Sequence, residues 1–304
     1  MPIRPAAPLL FACLLVAAAV AQDPGAPPPE DPTHPAPQDE IVPVEEPGWP
    51  AKSWLMPEVE VVAERPSDLR EEERIGSYEQ PRWTAHRRFP TTRIYVIPEG
   101  EVEVEYWLRV DEPKHGNDTK VRHFYEIEFG LPYRFQLDLY INAIHEGEWE
   151  PFDETERAYE LRYALADWGE LWGNPTLYYE VVDRQRGPDK LEAKLLLGDE
   201  WAEGWHWGTN FVWEKETGGD EERELEFTGA VSRTLVDEVF SAGAEVKVSQ
   251  ITNDEDATHR HEYFAGPSFQ WKPSKRSHID FAPLLGMGPD SGDYTLYFII
   301  GWEF

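Results

Sequence analysis

The chain has 304 residues, with 59 acidic and 28 basic side chains and a formal net charge of −31. A surface this acidic excludes nucleic acid as a partner, because binding a phosphate backbone needs a basic face. The single cysteine, Cys13, lies in the first twenty residues, so a processed chain would carry neither disulfides nor cysteine-ligated zinc. Beyond those first residues no run of eighteen apolar residues occurs, which excludes a spanning helix but not spanning strands.

In chain order, Arg4, the apolar run Leu9 to Val20 and the small-residue site Ala19-Val20-Ala21 read as a secretory signal peptide over residues 1–21. Residues 22–90 read as a disordered, acidic, proline-rich periplasmic segment. Pro27-Pro28-Pro29, Pro32, Pro35, Pro37, Pro43, Pro47 and Pro50 leave little room for helix or sheet. Glu58 to Arg65 reads as a short extended stretch. It also resembles the energy-coupling box of TonB-dependent transporters, although the chain is too short for their plug and 22-stranded barrel. A helical turn is expected at Leu69 to Ile75. A basic cluster follows: Arg82, His86, Arg87, Arg88 and Arg93.

From Glu101 the period becomes two, as strand geometry requires when the two faces differ. Val102, Val104, Tyr106, Leu108 and Val110 alternate with Glu103, Glu105, Trp107 and Arg109. Eleven more segments of roughly ten residues follow: 121–129, 133–143, 158–166, 175–183, 189–198, 204–215, 223–233, 239–250, 261–272, 277–286 and 293–304. Twelve strands of this length predict an all-β fold, a transmembrane antiparallel up-and-down barrel over residues 91–304. A soluble sandwich or small lipocalin-like barrel alternates too, but with its apolar series inward. Aromatic residues near strand ends (Tyr106, Trp107, Tyr178, Tyr179, Trp205, Trp207, Trp213, Trp271 and Trp302) favour two interfacial girdles.

The last segment is apolar on one face throughout: Tyr294, Leu296, Phe298, Ile300, Trp302, Phe304. It resembles the closing strand of bacterial outer-membrane barrels. That resemblance implies an outer-membrane location in a Gram-negative-type cell, lipid contact, and recognition of Phe304 by the barrel assembly machinery. Asn174-Pro175-Thr176-Leu177-Tyr178-Tyr179-Glu180 and Gly266-Pro267-Ser268-Phe269-Gln270-Trp271-Lys272-Pro273 extend the likeness over about residues 100–304. Together they resemble a group of outer-membrane barrels described as transporters or linked to the MetA pathway of phenol degradation. The group implies a channel with no assigned substrate.

With the apolar series on lipid, the other series lines the pore. The expected lining is Glu103, Glu105, Arg109, Arg122, Glu126, Glu128, Arg134, Asp138, Glu160, Arg162, Glu180, Glu226, Glu245, Lys247 and Asp280. Its excess of carboxylates predicts a passive pore for small solutes or ions that prefers cations. The alternative is a structural or surface-interaction barrel whose lumen is filled by paired charges, with residues 22–90 holding a periplasmic partner. Arg87, Arg88 and Arg93, with His86, could fold back into the acidic lumen as a plug. No phosphate-binding loop and no nucleophile elbow occurs, so no enzyme is expected. No cofactor and no metal is expected either. His259-Arg260-His261 beside Asp254-Glu255-Asp256 reads as a solvated loop.

Overall fold

The structure is a computed structural model. It describes residues 69–304 except 115–118, 147–153, 219–221 and 254–257. The expected signal peptide, proline-rich stretch and coupling-box resemblance fall outside the described residues. All described residues belong to one compact unit, Val61–Phe304.

Twelve strands close a single antiparallel ring. They are β3 (Val102–Glu112), β4 (Lys120–Leu131), β5 (Phe135–Glu146), β6 (Glu154–Ala164), β7 (Thr176–Arg184), β8 (Lys190–Ala202), β9 (Trp205–Glu216), β10 (Glu222–Val236), β11 (Phe240–Asn253), β12 (Thr258–Ser274), β13 (Ser277–Gly286) and β14 (Tyr294–Glu303). Each pairs with its neighbours in sequence, and β14 pairs β3 to close the ring, from Tyr294↔Glu112 to Glu303↔Glu103. Closure leaves no unpaired edge, the condition for β-structure inside hydrocarbon. All twelve expected segments are present, each within a few residues of its expected bounds.

The exposed large apolar residues on the strands include those of the expected outer series. Val104, Tyr125, Tyr159, Leu161, Leu177, Tyr179, Phe211, Trp213, Phe227, Val246, Phe269, Ile300 and Trp302 all face outward. Their ladder partners carry the same face around the ring; Leu161 lies between Leu137 and Tyr179. The inward series is mostly polar, and much of it is buried. Two girdle expectations are corrected. Trp107 lies under the Arg87 guanidinium, 3.6 Å from the ring centroid, and Tyr178 is buried with its hydroxyl donating to Glu180 at 2.6 Å. Both stand at inward positions of the pleat, which fixes their direction whatever their chemistry.

The ladder between β12 and β13 is interrupted between Ala265 and Phe269. Pro267 and Pro283 sit in that stretch, and neither has an amide hydrogen to donate. Inside it, Phe264, Ala282, Leu284 and Tyr297 form a small apolar cluster.

Residues 69–101 correct the expectation of disorder to residue 90. A two-residue strand β1 (Arg74–Ile75) pairs with β2 (Gln80–Pro81), and a 3-10 turn follows at Arg82–Thr84. The helical turn expected at Leu69 to Ile75 is absent; Glu71 and Glu72 form a turn leading into β1. Trp83, Phe89 and Val96 are fully buried, with Tyr78, Ile94 and Tyr95 nearly so. They form one apolar cluster with Ala164, Trp168 and Ala230 of the barrel. Trp168, from the connection between β6 and β7, packs edge-on against both Trp83 and Tyr95. The segment is therefore a plug packed inside the end of the ring that carries the start of β3 and the end of β14.

If the outward face meets hydrocarbon, a cation there is costly. Phe211→Arg, at the middle of β9, should lower barrel stability by roughly 2–4 kcal/mol, the penalty for a basic residue near mid-bilayer. Reversible unfolding from lipid vesicles measures it, and an unchanged midpoint would contradict the outward assignment.

Candidate functional site

The plug is docked by charge. Arg87 forms a two-pronged pair with Glu105, Nε at 3.0 Å and Nη2 at 2.8 Å from Oε2, and its Nη2 lies 3.5 Å from Glu126. Arg93 donates to Glu126 at 2.8 Å and Glu128 at 2.7 Å. Glu105 comes from β3 and the other two from β4. Adjacent inward positions, Glu105↔Glu126 and Glu103↔Glu128, set these acids opposite one another. Like charges so placed repel, and the two guanidiniums between them reverse that. Burial alone would lower the Arg93 pKa. The carboxylates of Glu128, Glu126 and Glu105 overcome it and hold the group well above its ordinary value. Removing one member of so buried an arrangement leaves bare charge in a dry place.

Arg88 turns the other way. Its Nε donates to Ser232 at 3.0 Å, and its Nη2 to Thr234 at 2.6 Å and to His206 Nδ1 at 2.8 Å. Glu71, from the start of the plug, stands 3.5 Å from Nη1. This arginine thus ties two parts of the plug to β9 and β10.

Residues 85–97 have no regular secondary structure, so their backbone groups need other partners. The wall supplies them from side chains. Asn210 Oδ1 accepts from Arg93 N at 2.9 Å while its Nδ2 donates to Arg93 O at 2.6 Å. Gln136 Oε1 accepts from Ile97 N at 2.8 Å. Glu245 accepts from Thr91 N at 2.8 Å, and Gln270 donates to Arg87 O. A glycine in the wall makes room as well. A Cβ on Gly198 would stand 2.3 Å from Ile94 Cγ2.

Of the expected lining, Glu103, Glu105, Glu126, Glu128, Asp138, Glu160, Arg162, Glu245 and Asp280 are buried around the plug. Arg162 is paired on its own wall with Asp138 at 2.9 Å and with Glu160. Arg109, Arg122, Glu226 and Lys247 lie beyond the plug, half-buried and paired: Arg109 and Arg122 share Asp111, and Lys247 holds Glu226. Glu180 accepts from Tyr178. Arg134 is corrected: it stands in the turn between β4 and β5, donating to Ala164 O at 3.2 Å and Asp167 at 2.8 Å, away from the interior. Tyr133 and Arg134 have φ of 62° and 65°, a left-handed pair that ends the alternation one turn later than the residue pattern implies.

Beyond the plug the interior is a charged vestibule. Arg184 bridges Glu156 at 3.0 Å and Glu216 at 2.9 Å, and Lys190–Glu214 and Lys194–Glu192 pair nearby. Three groups of described residues bring possible metal-ligand atoms within 4.8 Å of each other: His86–Glu103–His278, Glu103–Glu105–Glu128 and Glu126–Asp138–Glu160. Arg87, Arg93 and Arg162 already neutralise the two all-acid groups. His259 is exposed and bonded to Thr252 at 3.0 Å.

No protein-family profile and no curated protein matches the chain. Similar solved structures include the KdgM porin in complex with disordered oligogalacturonate, 8% identical with a TM-score of 0.46, covering 66% of this chain and 98% of that one. The NanC porin is 10% identical at a TM-score of 0.46, covering 66% and 97%. An outer membrane channel from Pseudomonas putida F1 is 10% identical at 0.47, covering 69% and 98%.

Arg93→Ala should weaken plug docking by roughly 3–5 kcal/mol, because it strands Glu126 and Glu128. Amide exchange over residues 85–97 reads the loss. Glu126→Gln with Glu128→Gln, added to Arg93→Ala, should restore part of the protection. Unchanged exchange in the single variant would show that the apolar cluster alone holds the plug.

Proposed function

We propose that this protein is an outer-membrane channel for small solutes or ions, closed in the described state by its own plug, residues 69–101. The observation that carries this reading is the docking of Arg87 and Arg93 on Glu105, Glu126 and Glu128 inside a ring whose outer face is apolar. A barrel of this strand number encloses more space than its own side chains fill, and here the chain's own segment occupies it. Charge pairs can dock a segment and release it as a unit. With the plug away, the wall acids lose their partners and the bared lumen favours cations. The outward apolar face contacts outer-membrane lipid, and the strand ending at Phe304 presents the signal read by the assembly machinery. The segment before the plug, residues 22–68, reaches a periplasmic partner that draws the plug. Membership of the phenol-degradation-linked group belongs to the same reading and names no solute.

One observation favours the second reading, a barrel with a permanently blocked lumen. The plug is also held by the Trp83, Phe89 and Trp168 cluster, which has no charge to switch.

A reversible lock separates the two. The Cβ of Ile94 stands 3.2 Å from the position a Cβ would take on Gly198, close enough for a disulfide after a small shift. In the Ile94→Cys, Gly198→Cys variant, planar-bilayer openings should appear under reduction and vanish on oxidation. A variant lacking residues 22–97 should conduct continuously, with reversal potentials favouring cations. Silence from the reduced full-length protein, with conduction only from the deletion variant, would leave the permanently blocked barrel, and silence from both would overturn the channel reading. Anion preference would sink the charge argument alone.

A further inference from the structure

At the plugged end of the ring one cluster differs from the arginine–carboxylate pairs around it. His86 of the plug and His278 of β13 both face Glu103 of β3. His278 Nε2 stands 2.7 Å from Glu103 Oε1, and His86 Nδ1 stands 3.5 Å from the same oxygen. Glu303 of β14 brings its Oε1 within 2.7 Å of His86 Nδ1. Three possible ligand atoms, of His86, Glu103 and His278, thus lie within 4.8 Å of one another, and Glu303 reaches His86 from β14 at the seam where the ring closes.

Two details point to a ligand these side chains do not supply for each other. Glu103 Oε2 is buried with no hydrogen-bond partner. Buried carboxylate oxygens without partners are costly. The far nitrogen of His278, Nδ1, is engaged by Asp280. A carboxylate on the back nitrogen fixes ring orientation and raises basicity, as is usual behind metal-bound imidazole. Gly301 gives that ring its place, since a Cβ there would lie 1.8 Å from His278 Nε2.

We propose that His86, Glu103 and His278, with Glu303 as fourth ligand, bind a divalent transition-metal ion, zinc first, that ties the plug to the seam of the barrel. Imidazole with carboxylate suits zinc, cobalt and nickel, and magnesium or calcium would ask for oxygen alone. Ligand atoms on a tetrahedral zinc with bonds of about 2.0–2.1 Å stand roughly 3.3 Å apart. Three of the ligand separations can be compared directly with that geometry. The His86–Glu103 separation already fits, and the two 2.7 Å contacts open by about 0.6 Å on that geometry. The site is independent of whether the barrel conducts. It needs only the plug in place.

Metal-stripped full-length protein, without a polyhistidine tag, is titrated with cobalt in detergent. One ion per chain should bind with the visible absorption of a tetrahedral site, and zinc should displace it. His86→Ala and His278→Ala should each abolish that absorption. Asp280→Asn should weaken binding about 10- to 100-fold, the usual effect of losing the partner behind a ligand. The outer-rim variant His259→Ala with His261→Ala should bind as the wild type does. No stoichiometric cobalt bound by wild-type protein overturns the proposal, as does undiminished binding in the His86→Ala, His278→Ala double variant. Wild-type binding lost only in the outer-rim variant assigns the ion elsewhere and overturns it too.

Discussion

The constraint on which everything else rests is that each backbone amide and carbonyl in the ring must find a partner within the protein. Where an apolar face is turned to hydrocarbon, an open edge or an unpaired run is too costly. Closing β14 onto β3 meets that demand for the strands, save where the ladder between β12 and β13 is interrupted. The plug faces the same demand without strands of its own. It meets it by borrowing amide and carboxylate side chains from the wall: Asn210, Gln136, Gln270 and Glu245. The inner surface is therefore a template for one irregular segment, and the segment's path follows from where those side chains stand.

Electrostatics then decides which half of the interior is filled. The inward series carries acids directly across from acids, as at Glu105↔Glu126 and Glu103↔Glu128. Left empty, that end would hold mutual repulsion in a poorly solvated space. Arg87 and Arg93 supply the missing positive charge, and Trp83, Phe89 and Val96 supply the apolar volume. Beyond the plug, Arg109, Arg122, Lys194 and Lys247 pair within the wall, so no borrowed cation is needed. The plug stops where the wall becomes self-sufficient.

The strands were legible because a period of two survives in every one, and because lipid and lumen demand opposite chemistry of successive residues. Inward and outward sets followed directly. The departures have local causes. Arg134 kept step with the alternation on paper, but a left-handed backbone at Tyr133 and Arg134 turned the chain before β5. Trp107 and Tyr178 looked like girdle residues because their side chains suit an interface, yet the pleat points them inward. The basic cluster at 86–93 signalled charge complementarity with an acidic lumen. Its detailed docking was not readable, since Asn210, Gln136 and Gln270 look like ordinary polar wall residues until a backbone lies against them. Nor does any spacing announce the histidine–carboxylate cluster, whose members sit at positions 86, 103, 278 and 303.

The break in pairing between β12 and β13 has a mechanical consequence. A hoop of staves yields at its weakest joint, and here two imino acids leave adjacent staves without some of their rungs. Phe264, Ala282, Leu284 and Tyr297 caulk that joint from within. Any sideways breathing of the cylinder concentrates there, one stave from the closing pair. The wall therefore has a preferred direction of give.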